Sequence, residues 1–200
     1  MRKQEAMSLV DEDEALIAAA LNGSAFAWEK LVRRYEAKVY NHGLRLMGNS
    51  ADAMDLVQEV FLGVYRNLHR FRGDAKFSSW LFRIAHNKAV DLNRRKRIIS
   101  GSTGNGAEEG DGFDAYPGAT DAEPDARLTR HQQNEETLAL LLRLPFEQRI
   151  VVELKIYQSL TFEEIAAMQD ISENTAKTRF YTALRKLKGV AEEHHVLSQD

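Results

Sequence analysis

Ten basic residues lie between Arg66 and Arg97, against only two acidic ones, and large aromatic residues are interleaved with them. The aromatic residues are Phe71, Phe77, Trp80 and Phe82. Cationic side chains can follow a phosphate backbone, and an aromatic ring on which a base stacks contributes about 1–3 kcal/mol. Because unstacking a base costs a few kcal/mol, two or three such rings could offset it. The segment is a candidate for binding and locally melting nucleic acid.

The helix predicted after this loop has one polar face and one apolar face. The polar face comprises Ser79, Arg83, His86, Asn87, Arg94 and Arg97, opposite Leu81, Ala85 and Leu92, and we interpret it as facing a nucleic-acid groove. Phe82 shares the apolar face and is predicted to belong to the core. Phe71, Phe77 and Trp80 lie at or near the loop, where both base stacking and core packing stay open.

A second basic element occupies the last third of the chain. Thr161 and Glu164 form a predicted capping box that starts a short helix, and a polar turn near Asp170 leads to a cap at Ser172. In the helix that follows, residues 173–188 contain five basic residues and one acidic residue. Its polar face comprises Asn174, Lys177, Thr178, Tyr181, Thr182 and Arg185, side chains that bind phosphates and base edges. Together these features predict a helix-turn-helix.

A third candidate surface is a stripe on the helix predicted to begin at Ala51. Asp55, Gln58, Glu59, Leu62 and Arg66 lie on one face of this helix, opposite an apolar face of Val57, Val60, Phe61, Val64 and Leu68. An acidic and amide-bearing stripe with an exposed leucine could dock a basic partner helix. Exposed polar helix faces are usually only solvated, and the pattern alone leaves that interpretation open.

The sequence contains no motif typical of an enzyme active site. The six histidines have no metal-binding spacing with carboxylates, and the chain contains no cysteine. There is no phosphate-binding glycine loop, no HExxH motif and no nucleophile elbow. We therefore predict no catalytic residue, no metal, no cofactor and no small-molecule substrate.

Periodic apolar residues outside the middle of the chain predict helices throughout. The predicted helices span Glu12–Leu21, Ala25–Met47, Ala51–His69, Ser79–Arg97, Asp125–Leu142, Glu147–Tyr157, Phe162–Gln169 and Glu173–Glu193. The fold class is all-α, with two small helical domains, residues 1–99 and 127–200, joined by a flexible linker.

The predicted linker, residues 100–126, accounts for the unusual distribution of charge. It has seven acidic residues and no basic ones, whereas residues 1–99 have 17 basic and 12 acidic residues. The total net charge of −3 does not show this difference between the two segments. Fully extended, its 27 residues could span roughly 90 Å. No apolar run is long enough to cross a membrane and no secretory signal is recognisable, so a cytoplasmic location without membrane insertion is expected.

Several motifs, in order and spacing, resemble those of bacterial sigma factors of the extracytoplasmic-function (ECF) group. The resemblance extends from about Asp13 to Lys188. The motifs are Asp55-Leu56-Val57-Gln58-Glu59-Val60-Phe61, Phe71-Arg72-Gly73, Phe77-Ser78-Ser79-Trp80-Leu81-Phe82-Arg83-Ile84-Ala85, Leu144-Pro145, Glu163-Glu164-Ile165-Ala166 and Thr175-Ala176-Lys177-Thr178-Arg179.

The resemblance implies a promoter-specificity subunit of RNA polymerase with a region 2 domain and a region 4 domain. Core polymerase would bind Asp55, Gln58, Glu59 and Leu62. The −10 element would be recognised and melted by Phe71, Lys76, Phe77, Ser78, Ser79, Trp80, Arg83, His86, Asn87 and Arg94. The −35 element would be read by Asn174, Thr175, Lys177, Thr178, Arg179, Tyr181 and Arg185.

The resemblance also implies partners beyond promoter DNA and core polymerase. An anti-sigma factor is expected, and the acidic linker would thread toward the RNA path of the polymerase, where its acids would imitate nucleic acid. The chain departs from the family pattern at Asn174, Ala176 and Thr182, which affects the expected −35 base contacts. The alternative function is a stand-alone helix-turn-helix regulator, which explains the last third but leaves the basic aromatic segment and the stripe at Asp55 unexplained.

Overall fold

The structure is a computed structural model that describes residues 2–99 and 134–197, with side chains described over residues 12–99 and 134–189. Every regular element within these ranges is helical, so the all-α fold class is confirmed. The predicted acidic linker, residues 100–126, lies outside the described residues. None of the described helices is both long enough and apolar enough to cross a lipid bilayer.

Four helices form the N-terminal part of the described chain. They are α1 (Arg2–Leu21), α2 (Ala25–Met47), α3 (Ser50–Asn67) and α4 (Phe77–Ile99), with a 3₁₀ turn (Leu68–Arg70) after α3. Ser24 caps α2 by accepting a hydrogen bond from the Ala27 amide, and Asn49 caps α3 in the same way from Asp52. Between them, Gly48 ends α2 in a left-handed conformation, with φ of 84°.

The core of this part depends on a close approach of α2 and α3. A Cβ atom at Gly43 would lie 3.0 Å from the Cα of Ala53, so only glycine allows the two backbones this separation. The fully buried side chains around the crossing include Leu31, Leu44, Leu56, Val60 and Leu81. This crossing fixes the position of α3 and, through it, of α4.

A buried carboxylate attaches α1 to α2. Asp13 accepts hydrogen bonds from Arg34, at 2.8 Å, and from the hydroxyl of Tyr35. Burial, and then the bond to Asp13, raises the pKa of the Tyr35 hydroxyl. The phenol therefore stays protonated and remains a hydrogen-bond donor.

The C-terminal part contains the predicted helix-turn-helix. It comprises α5 (134–142), α6 (Phe146–Val152), a π-helical turn (Glu153–Tyr157), α7 (Phe162–Gln169) and α8 (Glu173–Leu197). The capping box at Thr161 is complete, since the Thr161 hydroxyl accepts from the Glu164 amide and the Glu164 carboxylate accepts from the Thr161 amide. Asp170 ends α7 with φ of 54°, and Ser172 caps α8.

The element boundaries agree with the sequence prediction for α2 and α7. The predicted helix Asp125–Leu142 ends where α5 ends, and its residues 125–133 lie outside the described residues. The other elements differ from the prediction at one end or at both. Helix α1 begins at Arg2 instead of Glu12, and α4 begins at Phe77, two residues before the predicted Ser79. The predicted helix Glu147–Tyr157 is divided, because its last five residues form the wider π-helical turn. That turn rotates Glu153 toward the C-terminal end of α2, where the two parts of the chain meet.

Candidate nucleic-acid interface

Three aromatic rings cluster where the basic loop enters α4. The ring centroids of Phe71, Phe77 and Trp80 are 5.4–5.7 Å apart, and Phe77 also meets Tyr35 edge to face at 5.3 Å. Phe77 is a core residue, only 4% exposed, whereas Phe71 and Trp80 are half-buried. The inner ring therefore supports two outer rings whose edges reach the surface.

Two residues of the predicted −10 surface are placed inside the protein. Phe77 and His86 are each 4% exposed, so neither side chain can contact DNA in this conformation. Burial, and then the proximity of His42, lowers the pKa of His86 to about 4, which keeps this imidazole neutral near pH 7. The helical wheel assigned His86 to the polar face, but α4 is covered on that side by α2, whose His42 packs against Phe82.

The remaining predicted −10 residues are accessible. Lys76, Arg83, Asn87 and Arg94 are exposed, and Ser78 and Ser79 in the first turn of α4 are half-buried. Arg94 forms a surface ion pair of 3.2 Å with Asp91, one turn earlier. Such an exposed pair is weak and can be exchanged for a phosphate at little cost. The accessible cations and the outer aromatic rings thus lie in the segment before α4 and along α4 itself.

Helix α8 presents the second polar surface. Ala176 and Ala183 are fully buried against the rest of the C-terminal part. The opposite face exposes Asn174, Thr175, Thr178, Tyr181 and Arg185. Lys177 is half-buried and pairs with Glu173 at 2.8 Å.

Arg179 has a different environment from the other predicted −35 residues. Its guanidinium donates to Glu147 at 3.0 Å and to Gln169 at 2.9 Å, which joins α8 to α6 and α7. These bonds brace the helix-turn-helix. We therefore treat Arg179 as a residue that positions α8, while Arg185 is exposed and bonds only weakly to Thr182 at 3.3 Å.

The predicted stripe on α3 is accessible along most of its length. Asp55, Gln58 and Leu62 are exposed, and Leu62 retains 44% of its surface. Glu59 accepts a hydrogen bond of 2.8 Å from Lys88 of α4. This bond, and then the charge of Lys88, lowers the pKa of Glu59, so that the carboxylate is ionised.

An exposed aromatic residue extends this stripe, and the prediction from the sequence did not include it. Tyr65 is 66% exposed and packs edge to face against Trp28 of α2, with ring centroids 5.2 Å apart. Tyr65 lies three residues after Leu62, and residues three apart are neighbours on the surface of a helix. This spacing could have identified Tyr65 from the sequence. No group of three or more histidine, cysteine or acidic side chains in the described ranges is arranged to hold a metal ion.

Two family profiles match the chain on these surfaces. Sigma-70 region 2 matches residues 31–98, which include α3, the aromatic cluster and most of α4. Sigma-70 region 4 matches residues 134–187, which include the helix-turn-helix. A stand-alone helix-turn-helix regulator is therefore the wrong alternative, because it leaves the first match unexplained.

Curated relatives align over most of both chains. The RNA polymerase sigma-H factor of Pseudomonas aeruginosa is 30% identical over 175 residues, which cover 86% of this chain and 90% of that protein. The ECF RNA polymerase sigma-E factor of Escherichia coli strain K12 is 30% identical over 172 residues, with the same coverage.

Solved structures agree with the fold. CnrH, in a complex with the cytosolic domain of CnrY, has a TM-score of 0.61 and 26% identity, covering 92% of this chain and 99% of CnrH. The sigma factor RpoE of Bartonella quintana, in a complex with the anti-sigma factor NepR, has a TM-score of 0.62 and 20% identity, covering 82% and 96%. The chain belongs to the ECF group of RNA polymerase sigma factors and is a promoter-specificity subunit of bacterial RNA polymerase.

Proposed function

We propose that three separate surfaces divide the work of this sigma factor. The α3 stripe binds core polymerase, the loop and α4 recognise and melt the −10 element, and α8 reads the −35 element. The observation that supports this division best is that each surface is exposed on a different helix while its apolar side is fixed in the core. A rigid helix holds such side chains in a defined register.

For core polymerase, the contacts come from Asp55, Gln58, Glu59 and Leu62. Two negative charges next to an exposed leucine suit a basic, partly apolar helix, since the apolar contact gives affinity and the charges guide approach. The Lys88–Glu59 pair holds Glu59 in place but leaves it more than a third exposed. A partner arginine or lysine could therefore share it.

At the −10 element, the outer rings Phe71 and Trp80 separate the DNA strands. Exposed Lys76, Arg83, Asn87 and Arg94 bind the backbone, and Ser78 and Ser79 contact an unpaired base. Phe77 and His86 keep these groups in position from the core. Each stacked base contributes about 1–3 kcal/mol, so two rings can compensate for opening the first base steps.

At the −35 element, Asn174, Thr175, Lys177, Thr178, Tyr181 and Arg185 contact duplex DNA, with Arg179 bracing α8. An anti-sigma factor is a further proposed partner, because a fold neighbour is bound to one. The subunit acts in the cytoplasm, where polymerase works, and contributes no catalytic residue of its own. Nucleotide addition belongs to the polymerase to which it binds.

Reconstituted transcription tests the proposal. Core polymerase with the purified chain should start selectively on a subset of a promoter library, and core alone should not. The double variant Gln58→Ala/Glu59→Ala should bind core at least about tenfold more weakly, which corresponds to about 1.4 kcal/mol, with an unchanged circular dichroism spectrum. The control is Glu29→Ala on α2, which removes an exposed carboxylate that pairs with Arg33 of its own helix. Undiminished binding by the double variant would remove α3 as the core-binding surface.

A further inference from the structure

A series of buried contacts connects α1 to the aromatic cluster at the start of α4. Asp13 of α1 is 7% exposed and accepts a hydrogen bond from the Tyr35 hydroxyl of α2. Tyr35 is 5% exposed, and its ring meets Phe77 edge to face, with centroids 5.3 Å apart. The centroid of Phe77 in turn lies 5.6 Å from that of Phe71 and 5.7 Å from that of Trp80. Direct contacts therefore lead from a carboxylate on α1 to the two outer rings.

Both oxygens of this carboxylate have a donor on α2. Oδ1 of Asp13 accepts from Arg34 Nη1 at 2.8 Å, while Oδ2 accepts from the hydroxyl of Tyr35. Arg34 also pairs with Glu12, the residue before Asp13. Hydrogen bonds to a carboxylate are stronger than those between neutral groups. Because two neighbouring donors fix the carboxylate, the carboxylate in turn fixes the hydroxyl end of the Tyr35 ring.

Helix α1 also contacts the other end of the basic loop. It lies against the 3₁₀ turn Leu68–Arg70, which ends directly before Phe71. Residues 72–76 of the loop are all exposed, so they contribute little packing of their own. At the far end of the loop, Phe77 is held by its contact with Tyr35. Both ends of the loop thus depend on α1, one through the 3₁₀ turn and the other through Tyr35.

The position of the outer rings matters for base stacking. A side chain that is already held in its binding geometry loses no further conformational freedom when its ligand arrives. Groups that support such a side chain from behind can therefore affect a rate although they touch no ligand. A displacement of about 1 Å can lower a rate by about a hundredfold.

We propose that Asp13 is a positioning residue for promoter opening. Through the Tyr35 hydroxyl it holds the Tyr35 ring against Phe77, and this keeps the two outer rings where an unpaired base can stack on them. The inference rests on the proposed strand-separating role of Phe71 and Trp80. Asp13 and Tyr35 act only through the cluster, since both are buried.

Open-complex formation by the holoenzyme tests this role. Tyr35→Phe keeps the ring and removes only the hydroxyl, and Asp13→Ala removes the acceptor. Both should slow the opening of a duplex promoter about tenfold, because the rings are no longer held in place. Both should open a promoter with a pre-melted −10 bubble at nearly the parental rate. The matched control is Glu14→Ala, which removes an exposed carboxylate next to Asp13 and should equal the parent on both templates.

Fluorescence of Trp80 tests the positional link in the free protein. The chain has two tryptophans, so Trp28→Phe leaves Trp80 as the single probe. In that background, acrylamide should quench Trp80 more strongly when Tyr35→Phe or Asp13→Ala is added, and Glu14→Ala should leave quenching unchanged.

A double variant tests whether the two residues act in series. Asp13→Ala/Tyr35→Phe should open duplex promoters no more slowly than the slower single variant, because Asp13 acts through Tyr35. Additive slowing in the double variant overturns this connection. Asp13→Ala leaves Arg34 and Tyr35 without their acceptor, so the isosteric Tyr35→Phe decides if that variant does not fold.

Two further results would overturn the positioning role. One is a parental opening rate on duplex DNA in either folded single variant. The other is equal slowing on duplex and pre-melted templates, because a general loss of active protein lowers both rates alike. A Trp80→Ala holoenzyme that opens duplex promoters at the parental rate would instead reject the strand-separating role of that ring. The quenching of Trp80 then decides the positional link, which greater quenching in Tyr35→Phe supports and unchanged quenching overturns.

Discussion

Two histidines in the N-terminal core differ in the environment of their Nδ1 atoms. The Nδ1 of His42 lies next to the Glu153 carboxylate, whereas the Nδ1 of His86 is buried and has no hydrogen-bond partner among the residues that the structure describes. An imidazolium at His86 would be desolvated without compensation. The charge state of this single side chain therefore affects the stability of the whole N-terminal core.

Acid should destabilise the protein through His86. Its pKa is about 4 in the folded protein against about 6.5 in the unfolded chain, so the unfolded chain binds more protons between these values. The free energy of unfolding should consequently fall as the pH falls below about 6.5, by about 2 kcal/mol between pH 7 and pH 5. Urea unfolding at the two pH values measures this difference.

Replacing the histidine separates its contribution from that of other groups. His86→Gln should lose much less stability than the parent between pH 7 and pH 5. His69→Gln, at an exposed position, should behave like the parent. Equal losses for His86→Gln and the parent would mean that another group titrates.

Neighbouring rings of the aromatic cluster should respond differently to truncation. Phe77→Ala should destabilise the protein by about 3–5 kcal/mol, since a core ring is removed. Trp80→Ala should cost less stability and should reduce the rate of open-complex formation on a duplex promoter, a defect that a pre-melted −10 bubble should relieve. Permanganate reactivity of unpaired thymines measures the opening. If the two variants lost stability and melting in the same proportion, the division between supporting and stacking rings would be wrong.

The sequence predicted the types of these residues better than their exposure. Basic charge and aromatic rings identified the segment, but nothing in their spacing distinguished Phe77, which packs on Tyr35, from Trp80, which reaches the surface. The same limit applies to Glu153. A lone glutamate in a helical pattern predicts a solvated side chain, and only the tertiary contact with α2 explains its burial.

At the scale of elements, local signals predicted the helices whose ends are fixed by caps. The boundaries of α2 follow from Ser24 and Gly48, and those of α7 from Thr161 and Asp170. Prediction failed where boundaries depend on packing. Helix α4 begins at Phe77 without a side-chain cap among its described contacts, because burial of that ring holds the first turn.

The capping box of α7 should have a measurable effect on stability. Thr161→Ala removes the acceptor for the Glu164 amide and should lower the free energy of unfolding by about 1 kcal/mol. Thr161→Ser keeps the hydroxyl and should retain most of the stability. Thermal or urea unfolding of the three proteins gives the comparison, and an equal loss for serine and alanine would assign the effect to the lost methyl group.

Substitutions of two arginines of α8 should distinguish a residue that contacts DNA from a residue that holds α8 in position. Arg185→Ala should weaken binding to −35 duplex and reduce by about one the slope of log affinity against log salt, because one phosphate contact is lost, with unchanged stability. Arg179→Ala should lower stability as well, since its bonds to Glu147 and Gln169 join three helices. Holoenzyme binding to duplexes at several salt concentrations, combined with unfolding curves, distinguishes the roles. A normal unfolding curve for Arg179→Ala would make it a direct DNA contact.

At the scale of the whole molecule, charge is divided unequally along the chain, and the contacts that matter join distant segments. Residues 1–99 carry five more basic than acidic residues. At the seam between the N-terminal and C-terminal parts, Arg45 of α2 donates to the Glu153 carboxylate. No periodicity or motif encodes such a seam. Complementarity across it appears only once both helical parts have folded.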